Sequence, residues 1–411
     1  MHEHADPERH RVDATTVPQA RARMLAAVEP LGTIETLPLG EALGRVCAEA
    51  LLAPFPVPPF DNAAMDGYAL RWSDLEASGG RLPIAGRVAA GDARTALPPG
   101  TALRIFTGAA IPDGADTVVR QELARASGGM LQVDEGAKDR IGANVRPAGG
   151  DLAPDATVVP AGRRLQPVDL GLMASVGAAS VRVRRRARVV VLVSGDELTP
   201  PGQPLEPGRI FESNGVMLAA VLRSLDAEVL AVRRVADSAA ATHEALARAA
   251  GEADLVVSSG GVSVGDEDHL KAAVRGLGAV TIDGLPIQPG KPLGFGHVHG
   301  TPWFGLPGNP VASLLTCLLF VAPVVRRLHG RTDTLPMPYR LPAAFERPRA
   351  MQREAHLRVR RDGDTLALAA KQGSGVLSSA AASDGLAVVP IGATVAPGDL
   401  VAFHPFADLL A

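Results

Sequence analysis

The hydrophobic pattern is clearest at Val189–Val193, five consecutive apolar residues (Val189, Val190, Val191, Leu192, Val193) that read as a strand buried on both faces. The run stops at the polar turn Ser194-Gly195-Asp196-Glu197. The same grammar returns at Leu255-Val256-Val257-Ser258-Ser259, followed by Gly260-Gly261-Val262-Ser263-Val264-Gly265-Asp266-Glu267-Asp268. Between the two, Ser213/Asn214 caps a helix with apolar positions Val216, Leu218, Val221, Leu222 and Leu225. Strand Glu228–Val232, Asp237 and helix Ala239–Ala250 follow, and helix His269–Gly276 comes after the second glycine loop. This β-α-β-α-β-α order predicts a parallel sheet with helices packed on it. In such sheets ligands bind beyond the carboxyl ends of the strands, where both Gly-plus-carboxylate loops lie. Further on, Val280–Ile282 and Trp303–Leu306 read as strands. Pro307-Gly308-Asn309-Pro310 opens the apolar helix Val311–Leu328, whose free N–H groups make an anion site.

The flanking segments have a different texture. Met1–Thr15 is polar, carries His2, His4 and His10, and reads as a disordered tail. Val17–Leu31 and Gly40–Leu52 show helical spacing on either side of a short strand at Thr33–Leu37. Pro54–Arg71 delivers the turn-rich PVPPFDNAAMDGYAL, with Asp61, Asp66 and Gly67. From Arg81 to Val145, short apolar runs separated by Gly, Pro and Asp predict a small β-domain, with Thr107-Gly108 where one strand ends. Arg182–Arg188 is basic but leads straight into the buried strand, so it reads as a solvated strand entry. After Thr332 the pattern is β again, with a hairpin turn at Asp362-Gly363-Asp364. The loop from Lys371 to Ser379 offers hydroxyl and N–H donors to an oxyanion.

Composition narrows the chemistry. A chain of 411 residues is too long for one ordinary core. With 3% aromatic residues and a net charge of −3, neither a nucleic-acid platform nor a membrane-attracting field is expected, so an anionic substrate needs a local basic site. Cys47 and Cys317 read as buried thiols in helical segments of a cytoplasmic protein. The apolar region Val311–Val325 contains Ser313, Thr316 and Pro323 and reads as too short and polar to span a bilayer. Four lysines, Lys138, Lys271, Lys291 and Lys371, stand among 41 basic side chains, which singles out the Lys291 of Gln288-Pro289-Gly290-Lys291-Pro292. Asp196, Glu197, Asp237, Asp266 and Asp268 surround the predicted phosphate-handling edge, and hard oxygen ligands beside phosphate suit Mg²⁺.

Seven motifs occur in order: PFDNAAMDGYAL (59–70), RIFTGAAIP (104–112), NVRPAGGDL (144–152), SGDEL (194–198), SGGVSVGDED (259–268), PGKP (289–292) and LPGNPV (306–311). Together they closely resemble the molybdopterin molybdenumtransferase (MoeA) family, which includes the gephyrin E domain. The resemblance implies a multidomain α/β fold: a discontinuous linker domain (16–53 and 148–186), a small β-domain (54–147), a central parallel α/β domain (187–330) and a C-terminal β-barrel-like domain (331–411). It implies molybdenum insertion into adenylylated molybdopterin, with hydrolysis of the adenylate and release of AMP. The implied subunit is half of a cytoplasmic homodimer with a composite site, receiving its substrate from an adenylyltransferase and handing product to molybdoenzymes. By this resemblance Asp66 and Thr107 reach across from the partner, while Glu197, Asp237 and Asp268 are catalytic and hold Mg²⁺. Ser194, Gly260, Gly261, Ser263, Gly265, Pro307 and Pro310 surround the pterin nucleotide. Lys291, Arg353, Arg358 and Ser374 match family positions for molybdate, a tetrahedral dianion that needs charge-assisted donors. Two positions depart from many relatives: Gln288 replaces a lysine, and Ala312 replaces a serine. An adenylyltransferase sharing the α/β domain and a non-catalytic dimeric scaffold are the alternative readings.

Overall fold

The computed structural model describes residues 15–134, 140–261 and 269–411. The expectations for the His-bearing tail, Lys138, Ser263, Gly265, Asp266 and Asp268 lie outside these residues.

The central apolar run forms β1 (Arg188–Ser194), and the alternation of its side chains explains why it is apolar throughout. Val189, Val191 and Val193 pack into one core with Leu218, Leu222, Val311 and Leu315, while Val190 and Leu192 pack into another with Leu246, Ala249, Leu270 and Val274. Each fully buried aliphatic contributes about 1.5–3 kcal/mol. The chain continues through α1 (Asn214–Ser224), β2 (Glu228–Val235), α2 (Ala239–Glu252), β3 (Leu255–Ser259) and α3 (His269–Leu277). Then come β4 (Gly278–Asp283), β5 (Gly294–Val298) and β6 (Thr301–Leu306). The sheet order is β2-β1-β3-β6-β5-β4. The first four strands are parallel as predicted, whereas β5 and β4 add antiparallel to the β6 side. The reason is local: only His299 and Gly300 join β5 to β6, both with positive φ, and a two-residue turn joins antiparallel neighbours.

The apolar helix α4 runs Pro310–Leu328, and by length and composition alone its 19 residues suffice to cross a membrane, contrary to the shorter sequence estimate. It is instead a core helix, with 89% of its apolar window buried. Its middle turn, Cys317–Val321, widens to π geometry ahead of Pro323, which lacks an N–H and crowds the carbonyl four residues back. Helix Val17–Ala26 buries Val17, Ala20 and Met24 against the α4 side of this core.

Around this unit, Ile34–Pro38 pairs with Ser180–Arg184, and Leu51–Leu52 pairs with Thr157–Val159. The helix expected over Gly40–Leu52 does not form. Gly44 has a φ of +78°, and the N–H groups of Gly44, Cys47 and Ala48 bond to carbonyls of Leu165, Arg163 and Arg182. Cys47 therefore sits on a bridge rather than a helix, yet both cysteines are buried and free. Arg185 grips Asp254 through two bonds of 2.6 and 2.8 Å and Arg186 pairs with Asp226, so this part of the basic strand entry is tied up internally.

The segment around residues 67–133 forms a six-stranded sheet. The C-terminal sheet takes in Ile287–Gln288, which pairs parallel with Glu354-Ala355, so the PGKP loop leaves directly from that sheet.

Candidate active site

The carboxyl ends of the parallel strands open onto a cleft of about 660 Å³. Ser194, Glu197, Asp237, Gly260, Gly261, Pro307 and Pro310, all singled out in the sequence, line it. Gly260 is dictated by space as well as by conformation. Its φ is +90°, and a Cβ there would lie 2.3 Å from the Ser194 carbonyl oxygen. Only glycine lets the end of β3 pass this close to the end of β1. At Gly195 a Cβ would meet the Glu197 carboxylate at 2.6 Å, so Glu197 folds back over its own turn. Asp237, two residues beyond β2, is exposed and faces the same space.

Two helix N-termini border the cleft, those of α1 and α4. The start of α1 is not capped by Ser213 or Asn214. Instead Glu212 Oε1 accepts the Gly215 N–H at 2.7 Å, inside a nearly buried carboxylate. This frees Asn214 to cross the cleft floor: its Nδ2 donates to Ser259 Oγ at 2.9 Å and to the Gly308 carbonyl at 2.7 Å. Its Oδ1 is buried with no hydrogen-bond partner among the described residues. Ser259 Oγ also donates to the Pro307 carbonyl at 3.2 Å and lies 3.4 Å from Ser313 Oγ. Asn214, Glu212 and Ser313 were not selected from the sequence, because a polar residue at a helix start reads first as a cap.

The predicted oxyanion residues sit beside the cleft rather than on its lining. Lys291 is half-buried and makes no ion pair among the described residues, and its neighbour Pro292 lines the cleft. The Ser374 carbonyl accepts the Val311 N–H at 3.0 Å, docking the C-terminal loop on the first turn of α4, and Gly375 lines the cleft. Arg358 is fully buried: its Nε donates to Ser379 Oγ at 2.5 Å, and Nη2 to the carbonyls of Lys371 and Gly373 at 2.9 and 3.1 Å. Burial pushes its pKa down, and Nη1 is buried without a partner among the described residues. Arg358 thus shapes the 371–373 loop and retains one unused donor. Arg353 is exposed just before the strand Glu354–Asp362.

Asp66 and Thr107 meet each other, but neither lines this cleft. The Thr107 N–H and Oγ1 donate to Asp66 Oδ1 at 2.8 and 2.7 Å, and these two bonds hold the carboxyl below its ordinary pKa. Arg104 adds a smaller push, with its guanidinium between the Tyr68 and Phe106 rings at 5.1 and 5.0 Å. Among the described residues no three His, Cys, Asp or Glu side chains cluster to hold a metal. Two exposed carboxylates, Glu197 and Asp237, share the cleft with the nearly buried Glu212.

Residues 15–177 match the MoeA N-terminal region (domain I and II), 190–327 a probable molybdopterin binding domain, and 340–406 the MoeA C-terminal region (domain IV). The molybdopterin molybdenumtransferase of Haemophilus influenzae is 40% identical over 318 residues, covering 77% of this chain and 78% of the relative. Molybdopterin molybdenumtransferase 2 of Mycobacterium tuberculosis is 40% identical over 330 residues, 78% of this chain and 79% of the relative. The crystal structure of a Pyrococcus horikoshii MoeA protein superposes with a TM-score of 0.80 at 32% identity, over 95% of this chain and 99% of that one. The chain belongs to the molybdopterin molybdenumtransferase (MoeA) family, enzymes of molybdenum cofactor biosynthesis.

Proposed function

We propose that this enzyme hydrolyses adenylylated molybdopterin, releases AMP and places molybdate on the dithiolene sulfurs. The observation that carries the reading is the meeting of two exposed carboxylates, Glu197 and Asp237, and two helix N-termini around one cleft at the strand ends. The partial positive charge at the starts of α1 and α4 suits phosphate oxygens. Glu197 and Asp237 suit a Mg²⁺ ion, which takes one or two carboxylates together with substrate phosphates and water. Asp268 is the family's further candidate. A Mg²⁺ ion held there would supply Lewis-acid charge neutralisation to the phosphoanhydride. Asn214 keeps the walls in register by tying β3 to the Pro307-Gly308 turn.

Molybdate is a substrate, and the residues suited to it are Lys291, Ser374 and the free Nη1 of Arg358, with Arg353 at the periphery. The same reading takes the enzyme to be a cytoplasmic homodimer in which Asp66 and Thr107 of the partner subunit complete the site. The flanking regions matched at 15–177 and 340–406 favour this over a lone-domain adenylyltransferase.

The test is AMP release from adenylylated molybdopterin with Mg²⁺, with and without molybdate. Asp237→Asn is expected to lower the rate by about 100-fold or more, since a lost Lewis-acid contact is worth several kcal/mol. Lys291→Ala is expected to raise the molybdate requirement about tenfold, the value of one charge-assisted donor. A wild type that releases no AMP under any oxyanion refutes the proposal.

A further inference from the structure

The cleft continues past Phe211. A second groove of about 530 Å³ opens there, and Phe211, Glu212 and Ser213 belong to both spaces. The further walls are apolar, with Pro201, Val216 and Leu377 among them. The Glu212 carboxylate is turned in to the Gly215 N–H and the residue is nearly buried. Phe211 is 46% exposed in a chain whose residues are only 3% aromatic.

A lone exposed Phe is ordinary on a protein surface. This one is held outward by its backbone. Ile210–Phe211 pairs parallel with Leu198–Thr199. The Ile210 N–H donates to the Glu197 carbonyl at 2.9 Å, and the Glu212 N–H to the Thr199 carbonyl at 2.8 Å. The ladder that fixes Phe211 therefore starts at the candidate carboxylate residue. A preset aromatic face loses little entropy when a ligand covers it.

We propose that Phe211 is the stacking platform for a flat nitrogen heterocycle carried on the phosphorylated ligand of the cleft. The ligand chemistry follows from the juxtaposition of an anion-binding end at two helix N-termini with an apolar shelf floored by an aromatic ring. Adenine and pterin both answer to it. The inference rests on the proposed substrate only in supplying those two rings, and it is tested by equilibrium binding, which needs no turnover.

The experiment is calorimetry on the full chain with AMP, 6-hydroxymethylpterin phosphate and ribose 5-phosphate, using wild type, Phe211→Ala and Phe211→Tyr. Phe211→Ala is expected to weaken AMP or the pterin phosphate about tenfold or more, as loss of base–aromatic stacking does. The ligand that weakens names the ring. Ribose 5-phosphate binding stays unchanged, and Phe211→Tyr restores the ring ligand. Unchanged affinity for both ring ligands overturns the proposal. So does equal weakening of all three, or a wild type that binds ribose 5-phosphate as tightly as either ring. A change in sedimentation of Phe211→Ala with ring binding intact assigns the groove to a second copy instead, and overturns it too.

Discussion

Replacing Gly260 by alanine tests whether the cleft depends on close passage of two strand ends. The new Cβ would lie 2.3 Å from the Ser194 carbonyl oxygen, roughly 1 Å inside an ordinary contact. The backbone φ of +90° adds about 1–2 kcal/mol for an L-residue, and relief of the overlap adds about 1–3 kcal/mol. Gly261 is the internal control. Its φ is +64°, but a Cβ there meets Leu270 Cβ at an ordinary 3.6 Å, so Gly261→Ala carries only the conformational cost of about 1–2 kcal/mol. The expected difference between the variants is therefore about 1–3 kcal/mol. Trp303 is fully buried in β6, and the second tryptophan, Trp72, lies outside the central sheet. In a Trp72→Phe background, Trp303 fluorescence during urea unfolding reports the central domain alone. AMP binding should fall further in Gly260→Ala than in Gly261→Ala, because the glycine loop must move off Ser194. Equal unfolding midpoints and equal AMP affinities for the two variants would refute the steric account.

Two other predictions concern titration. Thr107→Val removes one of the two donors that keep Asp66 ionised, so the acid limb of AMP-release activity should move to higher pH, with little change at alkaline pH; an unmoved limb separates Asp66 from turnover. His329 is buried, its ring acceptor Nε2 takes the Ala187 N–H at 2.9 Å, and burial together with nearby Arg45, Arg331 and Arg186 pushes its pKa down from 6.5 to about 4. Because the folded pKa is depressed, the unfolded chain binds more protons between these values. The stability is complete above pH 6.5 and is lost as pH falls toward 4, in total about 3 kcal/mol. His329→Gln keeps an acceptor but cannot titrate, so its urea midpoint should fall less steeply over that window than the wild type's; identical slopes would show that other groups carry the acid sensitivity.

The central sheet was legible because a strand buried on both faces leaves no polar positions, and few other arrangements produce Val189–Val193. The edge hairpin was less so, although its signal was present in His299-Gly300, two residues that both take positive φ. The false helix over Gly40–Leu52 arose because apolar positions fell at helical spacing in a segment whose N–H groups bond across to residues 163–182. Spacing records which side chains are apolar, and it is silent about where a backbone donor finds its acceptor.

The site divides along the same line. Glycines and carboxylates at strand ends were readable because their chemistry is local: Gly260 must accommodate a carbonyl, and Glu197 and Asp237 must face outward from loops. Asn214 was misread because its neighbours in sequence make it look like a cap, while the groups it joins are 45 and 94 residues away. Arg358 shows the converse. It was selected as an anion ligand, yet most of its guanidinium holds loop carbonyls and a serine hydroxyl, leaving Nη1 for anything else. Arg358 therefore builds the 371–373 loop first, with Nη1 buried beside it. The fork geometry that holds three partners at once is also what a lysine in its place would lack.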